Sequence, residues 1–218
     1  SMALVVVARN AVLFMVAWEL MSVSSFFLVI LDSDKRSVRR AGLIYLIAAH
    51  IGAAFLLVFF LLLGRHSGSL DFNSFNGAPQ LTGLLFFLAM IGFGSKAGFM
   101  PLHVWLPEAH PAAPSHISAL MSGVMIKIGI YGLFRALTFL GAPAYWWGVV
   151  LIGIGLVSGV IGVLFALSQS NLKRLLAYSS VENVGIIAIG MGIGVLGWST
   201  HSTILMTFGF GGALLHVI

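Results

Sequence analysis

The sequence predicts an all-α, polytopic transmembrane helical bundle, and three observations predict it. The 218 residues are 60% hydrophobic and only 8% charged, whereas a soluble domain carries roughly a quarter charged residues. Apolar runs long enough to cross a hydrocarbon core of roughly 30 Å recur along the chain, separated by short polar or Gly/Pro-rich stretches. The few ionisable residues are not confined to those stretches, and several fall inside the runs. Composition also excludes other classes. The chain has no cysteine, which rules out disulfides, thiolate metal sites and cysteine-ligated iron–sulfur clusters on it. A net charge of +5 in so apolar a chain reports topology before nucleic acid. No signal peptide is expected, because the apolar start lacks a basic n-region and a cleavage site, and Glu19 interrupts it.

In chain order, spans are expected at about 10–31, 41–63, 81–107, 116–138, 145–167, 174–195 and 201–218, which makes residues 1–218 one integral membrane domain of about seven helices. The loop from Asp32 to Arg40 holds Lys35, Arg36, Arg39 and Arg40, and the loop 168–173 ends on Lys173 beside Arg174. Counting spans puts both loops on one side. The positive-inside rule makes that side cytoplasmic and leaves Arg9, Arg65 and Arg135 near the other face of what would be a prokaryotic inner membrane. Gly155 and Gly159, like Gly190 and Gly194, give small-xxx-small spacings that let helix backbones approach closely. The apolar residues before Arg9 are too few to span, so the chain reads as a piece of a longer protein.

A charge at the bilayer centre costs about 2.5 to 3.5 kcal/mol on insertion scales, so a helix rarely carries one without a partner or an aqueous cavity. Glu19, His50, Lys127 and Glu182 each fall near the middle of an expected span, and Lys96 lies deep in the third. Burial pushes a lysine towards its neutral amine and a carboxylate towards its acid, and an opposite charge nearby reverses both effects. A Glu and a Lys that approach and separate can therefore load and release a proton. The alternative is a static ion pair that fixes helix packing. A satisfied hydrogen-bonding histidine is an equal reading for His50.

The stretch GFGSKAGFMPLHVWLPEAHPAAPSHIS, Gly92 to Ser118, is the most informative. Pro101 has no amide hydrogen and its ring clashes with the carbonyl four residues back, so a discontinuous helix is expected near Lys96 to Pro101, with a freed acceptor on Ala97. Non-helical backbone at this depth survives only when buried in protein or lining a wet cavity. His103, Glu108, His110 and His116 follow, but their spacing matches no compact metal motif, and a relay or interfacial role fits better. His103, directly after the break, is the best relay candidate. In the sixth span Tyr178 and Glu182 share a helix face, with Ser179 and Asn183 beside it, and hydrogen bonds from them could support Glu182 either as an ionisable group or as a neutral packing acid.

Three motifs, WELMSVSSFFLV at Trp18 to Val29, SKAGFMPLHVWLPEAHPAAPSHISALMSG at Ser95 to Gly123 and NLKRLLAYSSVENVG at Asn171 to Gly185, resemble the antiporter-like subunits of respiratory complex I, multisubunit Na+/H+ antiporters and membrane-bound hydrogenases. EAHPAAPSHISALMSGVMIKIGIYG and SSVENVGI look most like the large membrane subunit of formate hydrogenlyase and hydrogenase-4 complexes. The resemblance covers the family's helix five to the start of helix eleven, with His216 opening its second broken-helix region. It implies that Glu19 pairs with Lys96 on a broken helix and that Lys127 continues the path. It also implies a proton-translocating subunit that holds no cofactor, with nickel–iron, iron–sulfur or flavin centres on partner subunits. A cation/proton antiporter subunit, a structural membrane anchor for soluble redox subunits and a carrier for an organic solute are the rivals.

Overall fold

A computed structural model describes residues 1–75 and 80–217. Among them every regular element is helical: α1 (Met2–Val7), α2 (Ala11–Val29), α3 (Arg36–Ser67), α4 (Thr82–Ala97), α5 (Leu106–Ala112), α6 (Ser115–Leu120), α7 (Ile126–Leu140), α8 (Tyr145–Leu167), α9 (Leu172–Ser199) and α10 (Thr203–Val217). The expected all-α transmembrane bundle is what forms. Among the described residues six helical segments are long and apolar enough to cross a membrane, and α10 is a shorter apolar helix. Ile218, the last residue of the seventh expected span, lies outside the described residues.

Several boundaries differ from expectation for physical reasons. The Asp32–Arg40 loop is shorter, because α3 already begins at Arg36. At ~1.5 Å per residue its 32 residues reach about 48 Å, well beyond the hydrocarbon core, so its basic first turns need not enter lipid. Likewise α9 starts at Leu172, where the Asn171 side chain accepts from the amides of Lys173 and Arg174 and caps the helix. The fourth span is interrupted by a π-helical turn, Met121–Met125, between α6 and α7. The first apolar residues fold as the short α1.

The chain forms two compact units. The first comprises Ser1–Ala97 and Val104–Gly141, with α4 packed against α3 and α7. Its core is aromatic: Phe14 and Phe93 pack around the buried Trp18, and Phe60, Phe72 and Phe139 continue the cluster. One end is tied by backbone. Ala11 N donates to Leu70 O at 2.9 Å and Phe72 N to Arg9 O at 2.8 Å, while Asn10 caps α2 and donates to Asp71 at 2.7 Å. Arg135 lies over the Phe72 ring, so Arg9 and Arg135 gather at this end.

The second unit comprises Gly98–His103 and Ala142–Ile218, in which α9 packs on both α8 and α10. The glycine spacings do act as seams. A Cβ on Gly185 would sit 2.7 Å from Gly155 O, closer than any side chain allows, and one on Gly190 would press on the Ala213 Cβ at 3.0 Å, whereas one on Gly159 would meet nothing within 4 Å. Outward faces of both units expose apolar side chains such as Phe27, Leu43, Val160 and Leu164, the inverse of a soluble surface.

Candidate functional site: a broken helix and its buried lysine

Helix α4 stops at Ala97, where Gly98 turns the chain at φ 85°, a conformation that costs other residues steric strain. A 3-10 turn, Leu102–Trp105, then leads into α5. The break is the one anticipated near Lys96 to Pro101, with one difference. The helix ends before Pro101 rather than kinking around it, so the backbone groups to be satisfied are those of a helix terminus. Trp105 Nε1 donates to Ser95 O at 2.8 Å. Within the second unit Met100 N donates to Ser158 Oγ at 3.0 Å, so the broken backbone is held by side chains.

Lys96 is buried, with 2% of its surface exposed. Its ammonium donates to Ser22 Oγ on α2 at 3.0 Å and to Tyr45 Oη on α3 at 2.9 Å. The anticipated Glu19–Lys96 ion pair is not the arrangement found. Glu19 Oε2 instead lies 3.6 Å from His50 Nε2, with 34% and 53% of the two side chains exposed. Ser22 is one helical turn from Glu19, so Lys96 sits a turn away from the carboxylate rather than on it. The other ring nitrogen of His50 is 2.9 Å from Leu46 O, which makes His50 both a back-bonded helix residue and a neighbour of Glu19.

Lys127 is half-buried on α7, two residues beyond the π turn. Its helix presses on the end of α4: a Cβ on Gly129 would lie 2.6 Å from Ala97 N. Glu19, Lys96 and Lys127 thus belong to one unit, and His103 and Glu182 to the other. His103 is partly buried, its Nδ1 has no hydrogen-bond partner among the described residues, and its ring lies 6.2 Å from that of Tyr178.

Of the neighbours expected to support Glu182, Asn183 is engaged elsewhere. Tyr178 packs on Phe165, and Asn183 Nδ2 donates to Ser179 O at 2.8 Å while its Oδ1 meets His216 Nε2 at 3.0 Å. Asn183 is ~100° around the helix from Glu182, so it turns to α10 instead. His110 is buried, Glu108 half-buried and His116 exposed; no group of three His, Asp or Glu suited to a metal is present among the described residues. Outside the spans, the Lys35 ammonium 2.7 Å from Asp32 holds that exposed carboxyl below its usual range, and the carboxylate in turn raises Lys35 above its own.

Sequence reasoning missed Ser22, Tyr45, Trp105, Ser158 and the π turn. Ser22, Tyr45 and Ser158 are ordinary residues in apolar helices and Trp105 ends a 3-10 turn, and their contacts span 10 to 74 positions. Only the position of Ser22 one turn beyond Glu19 hinted at any of them.

Spanning helices, one of them broken beside a buried lysine, define a multi-pass membrane protein with ionisable groups at helix discontinuities. The chain belongs to the NADH:quinone oxidoreductase/Mrp antiporter transmembrane family, whose model matches residues 8–218. Hydrogenase-4 component B of Escherichia coli (strain K12) is 51% identical over 225 residues, covering 100% of this chain and 33% of the relative. Formate hydrogenlyase subunit 3 of the same strain is 36% identical over 216 residues, covering 98% and 34%. The chain thus spans about a third of the length of these curated relatives. A chain of the Mrp complex from Dietzia sp. DQ12-45-1b superposes with a TM-score of 0.81 at 25% identity, over 98% of this chain and 24% of that one. A chain of the membrane-bound sulfane sulfur reductase, an archaeal respiratory membrane complex, gives 0.75 at 26%, over 99% and 37%. The resemblance read from the three motifs, including its hydrogenase branch, is borne out.

Proposed function

We propose that this chain is the proton-conducting membrane part of a redox-driven complex of the hydrogenase or NADH:quinone oxidoreductase type. In this reading Glu19 gates, Lys96 loads and releases the proton, Lys127 passes it on laterally, and His103 and Glu182 take part in the second unit. The observation that carries it is Lys96 itself. A lysine this buried, at the end of a broken spanning helix, meets neutral hydroxyls rather than a carboxylate, and an ionisable group placed so deep in a spanning segment marks an ion path. A lysine kept only for packing would be expected to sit in a closed ion pair.

The names of the relatives support partners of two kinds, further membrane subunits and peripheral redox subunits in which the nickel–iron, iron–sulfur or flavin centres would lie. This chain needs to hold none. Its setting would be a prokaryotic inner membrane, with residues 32–40 and 168–173 cytoplasmic and residues 1–218 acting as one membrane domain. Similarity to an Mrp complex keeps a cation/proton antiporter in view as the second reading. The test is driven ion uptake by proteoliposomes holding the whole complex. The proposal expects proton uptake that is indifferent to replacing sodium by choline and that Glu19→Gln abolishes. Sodium-dependent transport would favour the antiporter, and uptake unaffected by Glu19→Gln the structural anchor.

A further inference from the structure

Each of the two hydroxyls that receive Lys96 also donates to a second group. Ser22 Oγ donates its hydrogen to Trp18 O at 3.0 Å, and Tyr45 Oη donates its own to Met125 Sδ at 3.5 Å. Each hydroxyl has a single hydrogen, so with that hydrogen committed each presents only lone pairs to Lys96. Two acceptors take two of the three N–H donors of an ammonium, so the pair can hold Nζ without a carboxylate. The Tyr45 ring adds to this, its centroid 4.9 Å from Nζ, and a cation near an aromatic ring gains further when desolvated. Ser22 has 0% and Tyr45 1% of its surface exposed, so no bulk solvent competes.

We propose that Ser22 and Tyr45 form a neutral docking site that holds protonated Lys96 away from Glu19, which makes both positioning residues for the proton relay. Docking breaks and forms no covalent bond: the ammonium exchanges a carboxylate partner for two hydroxyls and keeps its proton. The relay then has two alternative seats for one charge, a turn apart on α2, and Glu19 is released to His50 when Lys96 takes the hydroxyl seat. Tyr45 also ties that seat to the π turn ahead of Lys127, through Met125. The inference rests on the relay reading above, but its geometry can be tested separately.

The experiment is to determine the structure of the intact complex carrying Ser22→Ala and Tyr45→Phe, each of which removes a single oxygen, alongside driven proton flux for the same variant and for Lys96→Ala. Hydrogen bonds to a charged group each shift such an equilibrium roughly ten- to hundredfold, so Nζ is expected to move onto the Glu19 carboxylate and driven flux to fall at least tenfold. Ser22→Ala alone is expected to show a mixture of both positions. If Nζ keeps its place in both variants, the docking site is wrong whatever the flux does. If Nζ moves but Lys96→Ala leaves flux unchanged, the docking site stands and the relay reading fails. If Nζ moves and flux stays at the wild-type level although Lys96→Ala abolishes it, the hydroxyls do not position the relay.

Discussion

Lys96 shows how far residue-level reasoning reaches. Its importance is legible because an ammonium inside an apolar run demands an explanation. Its partners are not, because serine and tyrosine are unremarkable in spanning helices and only the fold brings positions 74 and 51 residues away onto it. The same limit explains Glu182: the shared helix face with Tyr178 can be read from spacing, but the pull of α10 on Asn183 cannot. A functional lysine and a structural one make opposite stability predictions. Burying an ionised group costs more than burying an apolar one, and Ser22 and Tyr45 keep their bonds to Trp18 O and Met125 Sδ without Lys96, so Lys96→Met is expected to leave the melting temperature of the purified complex unchanged or raised while driven flux is lost. A large drop in melting temperature would mark Lys96 as a packing residue.

The helices follow from their sequences with differing clarity. The break after α4 is legible because Gly98 and Pro101 are local signals, and the glycine seams because their spacing matches one helix face. The π turn has no local signature; it arises where the backbone adjusts to its neighbours, and such turns often mark functional segments. Trp105 closes the break from ten residues away. Trp105→Phe keeps the ring but leaves Ser95 O buried without its donor, which is expected to cost about 1–3 kcal/mol, read as a lower melting temperature. The α8–α9 seam is less forgiving, since Gly185 faces backbone that cannot rotate aside. Gly185→Leu is expected to exceed the ~1–3 kcal/mol of ordinary overpacking and to abolish accumulation of folded protein, whereas Gly153→Leu, where a Cβ meets nothing within 4 Å, should be tolerated.

For the whole molecule, composition settles the solvent and the basic loops propose the orientation. The lack of cysteine makes that orientation easy to check. Single cysteines at Ser33 and Ser170 are expected to react with an impermeant maleimide only from the cytoplasmic side, and one at Ser69 only from the opposite side; the reverse pattern would invert the topology. The relay itself is tested most directly by driven proton flux into proteoliposomes of the intact complex, wild type against Lys96→Ala, with redox turnover measured in the same samples. Loss of flux with redox turnover retained is the predicted result. Undiminished flux in the variant would contradict the relay and leave this chain a membrane scaffold.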